Sequence, residues 1–225
     1  MNGIAYGVGV GPGDPEMMTL KACRLIREND VIALPGQIPE ETMAYQIAAA
    51  SVPELAAKEL ISVYMPMTHD KTEQERCHRA GAAKIKEYLK QGKNVVFLTL
   101  GDSSIYCTFS YLQKYLEEDG FQTALVSGIP SFCAAAARVN QPLSLWNEQI
   151  HILPAVHNLA GEMPENGTCV LMKSGSKMKQ VKDQIRRSGR GAVMVENCGC
   201  ANEKVYLSVD EIPDDAGYYS LIIAK

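Results

Sequence analysis

One stretch of the chain pairs a chemical group with a place to use it: Leu98-Thr99-Leu100-Gly101-Asp102-Ser103-Ser104-Ile105-Tyr106. From Val95 to Phe109 there is no Lys or Arg, and Asp102 is the only charged residue. Such a loop suits a neutral or cationic ligand better than a phosphate, which calls for basic side chains. Asp102 has two readings of equal standing. It fixes its own loop by accepting backbone N–H bonds, or it accepts from a ligand ammonium or hydroxyl. Tyr106 and Thr108 read as pocket lining or helix packing before acid–base groups. Met172 and Phe132 read by default as core. Cys198 and Cys200 read as packing residues, because no neighbour clearly lowers a thiol pKa.

The elements that position this loop are legible on either side of it. Val95-Val96-Phe97-Leu98 reads as a buried strand. Gly101 breaks it, and Asp102, Ser103 and Ser104 are turn and N-cap residues. Ile105, Phe109, Leu112 and Leu116 then share one face of a helix. In an open parallel sheet, ligands bind where such loops leave the carboxyl ends of strands. Upstream, strands are expected at Ile4–Val10, Val31–Leu34 and Leu60–Val63, and helices around Met17–Ile26, from Pro39 to about Ala50 and over Lys71–Lys90, the last stopped by Gly92. Downstream, Gln122–Val126 reads as a strand and Cys133–Ala137 as a small-residue helix. Five further strands are expected at Gln149–Leu153, Thr168–Met172, Ala192–Glu196, Lys204–Ser208 and Tyr218–Ile223, with one helix at Lys177–Ser188. The alternating first half implies a parallel sheet covered on both faces, and the strand-rich second half a mixed sheet. The boundary is expected near Glu118–Gly120, giving domains 1–118 and 119–225 with a ligand cleft between them.

Composition narrows the function. A chain of 225 residues with net charge −4 and no basic cluster does not read as a general nucleic-acid binder. Its apolar stretches are too short for a membrane span, and Gly3 to Gly13 reads as strand and loop instead of a signal peptide, so the expected location is cytoplasmic. Seven scattered cysteines are expected to be reduced thiols. Cys198-Gly199-Cys200 has no second pair to complete a tetrahedral site, and His69, His78, His151 and His157 show no ligand spacing, so no metal site is expected.

Gly7-Val8-Gly9-Val10-Gly11-Pro12-Gly13 invites a dinucleotide reading and fails it on spacing. Counted from Gly7 the third glycine falls on Pro12, and counted from Gly9 on Asp14. The second strand ends in Leu34-Pro35-Gly36 with no ribose-binding acid. The glycines then serve a tight turn, or let a ligand lie against backbone with Pro12 stiffening the wall.

Four segments in register resemble the tetrapyrrole (corrin/porphyrin) methylases. Gly9 to Pro15, with Leu20-Lys21-Ala22 and Asp30-Val31-Ile32, is similar to the family's opening. Gly101-Asp102-Ser103-Ser104-Ile105-Tyr106 resembles its GDPxxY-type loop, Ser127-Gly128-Ile129-Pro130-Ser131 its PGIxS/A loop, and Val195-Glu196-Asn197 its late E-N segment. Tyr6 to Gly13, Met65-Pro66-Met67-Thr68, Thr99 to Asp102 and Gly128 to Phe132 look most like the precorrin-2 or cobalt-factor II C20-methyltransferases. Ser103 and Ser127 stand where the family usually has proline, which is expected to leave both loops less rigid.

The resemblance implies an α/β, two-domain tetrapyrrole methylase (class III S-adenosylmethionine-dependent methyltransferase) fold, a parallel N-terminal and a mixed C-terminal sheet, S-adenosylmethionine as methyl donor, a tetrapyrrole acceptor and a homodimer. Carried over by position, Pro12, Leu100, Gly101, Asp102, Ile105, Tyr106, Pro130, Ser131, Met172 and Cys198 would contact the donor, largely through backbone. Asp102 and Tyr106 are candidate acceptors for the proton released at C20, beside a water. Lys21, Arg24, Arg138 and Lys173 are candidates for the acceptor's carboxylates. The rival readings are another member of the family acting on a different corrin carbon or a sirohaem precursor, a nicotinamide oxidoreductase, and a tetrapyrrole carrier or sensor that turns over no donor.

Overall fold

The computed structural model describes residues 1–66, 68, 70–154 and 163–225 and divides into two units, Met1–Pro130 and Ser131–Lys225. The first unit contains β1 (Ile4–Gly9), α1 (Leu20–Glu28), β2 (Val31–Pro35), α2 (Met43–Ser51), β3 (Glu59–Val63), α3 (Lys71–Lys90), β4 (Val95–Thr99), α4 (Phe109–Glu118) and β5 (Gln122–Val126). Its strands form one sheet in the order β3-β2-β4-β1-β5, with every pairing parallel. β4 explains the architecture from its own residues. Val96 and Leu98 enter the core beneath α1 and α2, while Val95 and Phe97 enter the core with α3 and α4. A strand buried on both faces has to be apolar throughout, which is why Val95–Leu98 carries no alternation. Phe97 and Phe109 stack obliquely with centroids 5.6 Å apart, and Gly7 leaves the space the Phe109 ring fills.

The helix ends follow local chemistry. Thr19 caps α1 by accepting from Ala22 N–H at 3.2 Å, and Asp14 caps the short 3-10 turn before it. Asp70 caps α3 by accepting from Thr72 and Glu73 N–H, and Gly92 ends it at φ +77. The expected helix from Pro39 is two pieces, a 3-10 turn at Pro39–Glu41 and then α2, because Thr42 is extended and caps α2.

Two differences from expectation bear on the site. The chain divides after Pro130 instead of near Glu118–Gly120, because β5 pairs with β1 and belongs to the first sheet. The central helix begins at Phe109 instead of Ile105: Tyr106 sits at φ +50, outside helical space, and Cys107 Sγ accepts from Phe109 N–H at 3.3 Å. Ile105 and Tyr106 therefore lie on the loop.

The second unit contains α5 (Ser131–Arg138), β6 (Ile150–Pro154), β7 (Thr168–Met172), α6 (Met178–Arg187), β8 (Ala192–Glu196), β9 (Lys204–Tyr206) and β10 (Ser220–Ala224). The sheet order is β6-β7-β10-β8-β9; β6 and β7 are parallel and the other pairings antiparallel, so the sheet is mixed. Its core gathers Leu171, Met178, Ile185, Met194 and Ile222. Among the described residues no helix is long and apolar enough to cross a membrane.

Candidate functional site

In the first unit the loops following β4, β1 and β5 leave neighbouring strands at their carboxyl ends, the ligand-binding edge of a parallel sheet. Gly11 and Gly101 exchange backbone hydrogen bonds, Gly11 N–H to Gly101 O at 3.1 Å and Gly101 N–H to Gly11 O at 2.7 Å. Both adopt φ near the left-handed region, +82 and +71. A Cβ on Gly9 would sit 2.4 Å from Gly101 O, and one on Gly128 would sit 2.1 Å from the same oxygen. Three loops thus meet backbone to backbone. Gly9 serves this junction, so of the two uses considered for the glycine-rich opening the tight internal one applies at that position.

Asp102 ties the junction. It is buried; its Oδ1 accepts from Ser104 N–H at 2.7 Å and from the Ser104 hydroxyl, and its Oδ2 accepts from Gly128 N–H at 3.0 Å. Charge-assisted bonds of this kind are the stronger ones. With both oxygens engaged, Asp102 has the geometry of a positioning residue instead of a proton acceptor. Ser103, fully buried, donates its hydroxyl to Val126 O at 2.9 Å. That bond ties the loop to β5 at the position where the family usually has proline. Pro12 is buried, Leu100, Ile105 and Pro130 are half-buried, and Tyr106 is exposed.

The second unit presents its own edge. Strands β6, β7 and β8 run the same way, and Pro154, Met172, Leu221 and Val195 lie in one row across them. The chain leaves β7 through Lys173 at φ +58 and β8 through Asn197 at φ +51, so both exits are left-handed at residues other than glycine, a conformation that clusters at functional positions. Ser174 is fully buried and its hydroxyl has no partner among the described residues. Cys198 follows on the β8 exit. Burial first, then the Glu203 carboxylate and Cys200, push its thiol up to about 11. Glu203 itself is raised by burial, but the Gly199 N–H and Arg138 outweigh this and hold it below its usual range.

Two predictions arise here. The Cys198 thiol lies above its ordinary 9.0, so its protonated form contributes stability fully below that pH and loses it as pH rises through about 11. At pH 8 Cys198 should resist iodoacetamide under conditions that alkylate the denatured chain, read by peptide mass spectrometry; ready labelling would show an activated thiol. Ser174→Ala removes a buried hydroxyl without a partner and is expected to raise stability by about 1 kcal/mol in urea unfolding; a loss would reveal a bond to it.

Three of the four basic residues considered for carboxylate binding have partners. Arg24 pairs with Glu28 at 2.7 Å, Arg138 with Glu203, and Lys173 lies 6.0 Å from the Tyr218 ring centroid; Lys21 is exposed on α1. Among the described residues no group of three or more His, Cys, Asp or Glu could hold a metal ion; His69 and His157 lie outside those residues, as does Met67. Ser131 opens α5, and Phe132 is buried. Ser103 and Gly128 gain roles in the first unit's loop junction, a bond to Val126 O and a close approach to Gly101 O, that their residue types alone did not signal.

An all-parallel five-stranded unit followed by a mixed five-stranded one, with glycine loops interlocked at the carboxyl edge of the first, defines a two-unit α/β chain. The chain matches the Tetrapyrrole (Corrin/Porphyrin) Methylases over residues 5–213 and belongs to that family. It is 34% identical over 224 residues to a probable cobalt-precorrin-2 C(20)-methyltransferase of Methanocaldococcus jannaschii, covering 98% of this chain and 95% of that one. It is 28% identical over 233 residues to the cobalt-precorrin-2 C(20)-methyltransferase of Salmonella typhimurium, covering 100% and 97%. Its fold is similar to the solved cobalt precorrin-4 methyltransferase, with a TM-score of 0.75 at 21% identity over 98% of this chain and 94% of that one. The nicotinamide oxidoreductase reading is not favoured.

Proposed function

We propose that this chain transfers the methyl group of S-adenosylmethionine to C20 of precorrin-2 or its cobalt-bearing form in cobalamin biosynthesis. The observation that carries the proposal is the end-to-end similarity to two proteins named for that reaction. The residues present fit such a donor. The segments 95–109 and 127–137 bring no Lys or Arg, and their one carboxylate is taken up in the loop junction, so these segments set no basic side chain against a sulfonium.

When bound, the donor supplies a methyl group on a sulfonium sulfur. Because charge disperses in such a displacement, what the protein contributes is alignment and exclusion of water. Asp102 and the Gly9–Gly101–Gly128 junction hold the loops still. Pro12, Leu100, Gly101, Asp102, Ile105, Tyr106 and Pro130 are the donor-contact residues proposed on the first unit; Ser131, Met172 and Cys198 are those proposed on the second. The C20 carbon of the reduced macrocycle is enamine-like and already nucleophilic, so no strong base is required before attack. With Asp102 engaged, the proton released at C20 goes to water, directly or through the Tyr106 hydroxyl, which takes it up as it passes its own proton to solvent. Cobalt, where present, belongs to the substrate. A homodimer completes the proposal.

The test is incubation of the chain with donor and either the metal-free or the cobalt-loaded acceptor, followed by mass spectrometry. We expect one added methyl, faster on the cobalt form. Macrocycle binding without donor turnover would make the chain a carrier; methylation only of a different corrin or sirohaem precursor would move it elsewhere in the family.

A further inference from the structure

We infer that Ser103 is a positioning residue that sets the orientation of the proposed donor loop, an inference resting on the reading of that loop as the donor site. Two consecutive residues in the loop after β4 reach the end of β5 and the loop that follows it at two separate points. Asp102 Oδ2 accepts from Gly128 N–H at 3.0 Å, and Ser103 Oγ donates to Val126 O at 2.9 Å. One hydrogen bond fixes a distance and leaves a pivot. Two bonds of opposite polarity, anchored two residues apart on the partner segment, also fix the angle. Val126 is the last residue of β5 and pairs with Val8 in the sheet, so the Ser103 bond refers the loop to the rigid sheet, whereas the Asp102 bond refers it only to another loop. Ser103 is fully buried, and beside the Gly11–Gly101 exchange and the Asp102 contact its bond adds a tie to the sheet that closes a clamp on the loop. Rigid support of this kind is what holds a binding loop near productive geometry.

The test compares the wild-type chain with Ser103→Ala and, because a buried change can disturb folding, with Ser103→Cys, which keeps the size and weakens the donor. Binding of S-adenosylhomocysteine is measured by calorimetry where circular dichroism shows each variant folded, and amide exchange is followed at Gly128 and Ser104. Loss of one buried hydrogen bond is expected to weaken binding about fivefold to tenfold in Ser103→Ala and less in Ser103→Cys, with acceptor KM unchanged. Exchange at Gly128 and Ser104 is expected to quicken ahead of the β4 and β1 amides. A uniform rise in exchange with unchanged affinity would make Ser103 a stability residue only and overturn the inference while leaving the donor site standing. Absence of binding by the wild-type chain would overturn the donor reading itself, and the exchange pattern would still report whether the clamp exists.

Discussion

Gly128→Ala is expected to abolish measurable S-adenosylhomocysteine binding and to destabilise the chain by about 3 kcal/mol. The added Cβ would lie 2.1 Å from Gly101 O and 2.9 Å from both the carbonyl carbon and the oxygen of Gly9. All of these are backbone atoms, so no side chain can rotate away. Relief requires the loop after β5 to part from the loops after β1 and β4, which carries the Gly128 N–H off Asp102 as well. Gly120→Ala is the control. Gly120 has φ +79 with nothing within 4 Å of the added Cβ, so it meets backbone strain alone, about 1–2 kcal/mol, and binding should be untouched. Calorimetry and urea unfolding on the two variants check this. Wild-type affinity in Gly128→Ala would mean that the interlocked loops do not shape the donor site.

The second large effect is at Asp102. Asp102→Ala strands the buried Gly128 N–H, leaves the Ser104 N–H of the exposed turn without its acceptor, and removes charge-assisted bonds to both. Donor affinity should fall about a hundredfold. Asp102→Asn keeps one acceptor oxygen but turns an NH₂ toward a second N–H donor, so it should recover only part of the loss, about tenfold below wild type. Equal affinity in all three forms would confine Asp102 to shaping its turn without consequence for the ligand.

Much of this arrangement was legible in local residue patterns. Apolar runs marked β4, β7 and β8, and Gly92 marked the end of α3, because those signals lie within a few residues of the feature they determine. The start of α4 was not legible. Ile105 falls on the same helical stripe as Phe109 and Leu112, and nothing in the residue type of Tyr106 announces its left-handed backbone. The unit boundary escaped for a different reason: β5 joins β1 across more than a hundred residues of chain, and such pairing is set by tertiary packing instead of by local composition. The site divides in the same way. Asp102 stood out as the sole charge in its loop, and its bond to Ser104 is a local turn. Its bond to Gly128, the Ser103 bond to Val126 and the contact of Gly9 with Gly128 all join distant segments. Only their three-dimensional meeting explains why glycines occupy both positions.

The central claim is that interlocked loops free of Lys and Arg align a sulfonium methyl with one carbon of a reduced tetrapyrrole. The most direct measurement uses donor carrying an isotope-labelled methyl with the cobalt-loaded and metal-free acceptors, and reads the position of the label in the product by NMR. The account predicts a single labelled methyl at C20. A label at any other ring carbon, or none on either acceptor under conditions where the donor binds, would contradict it.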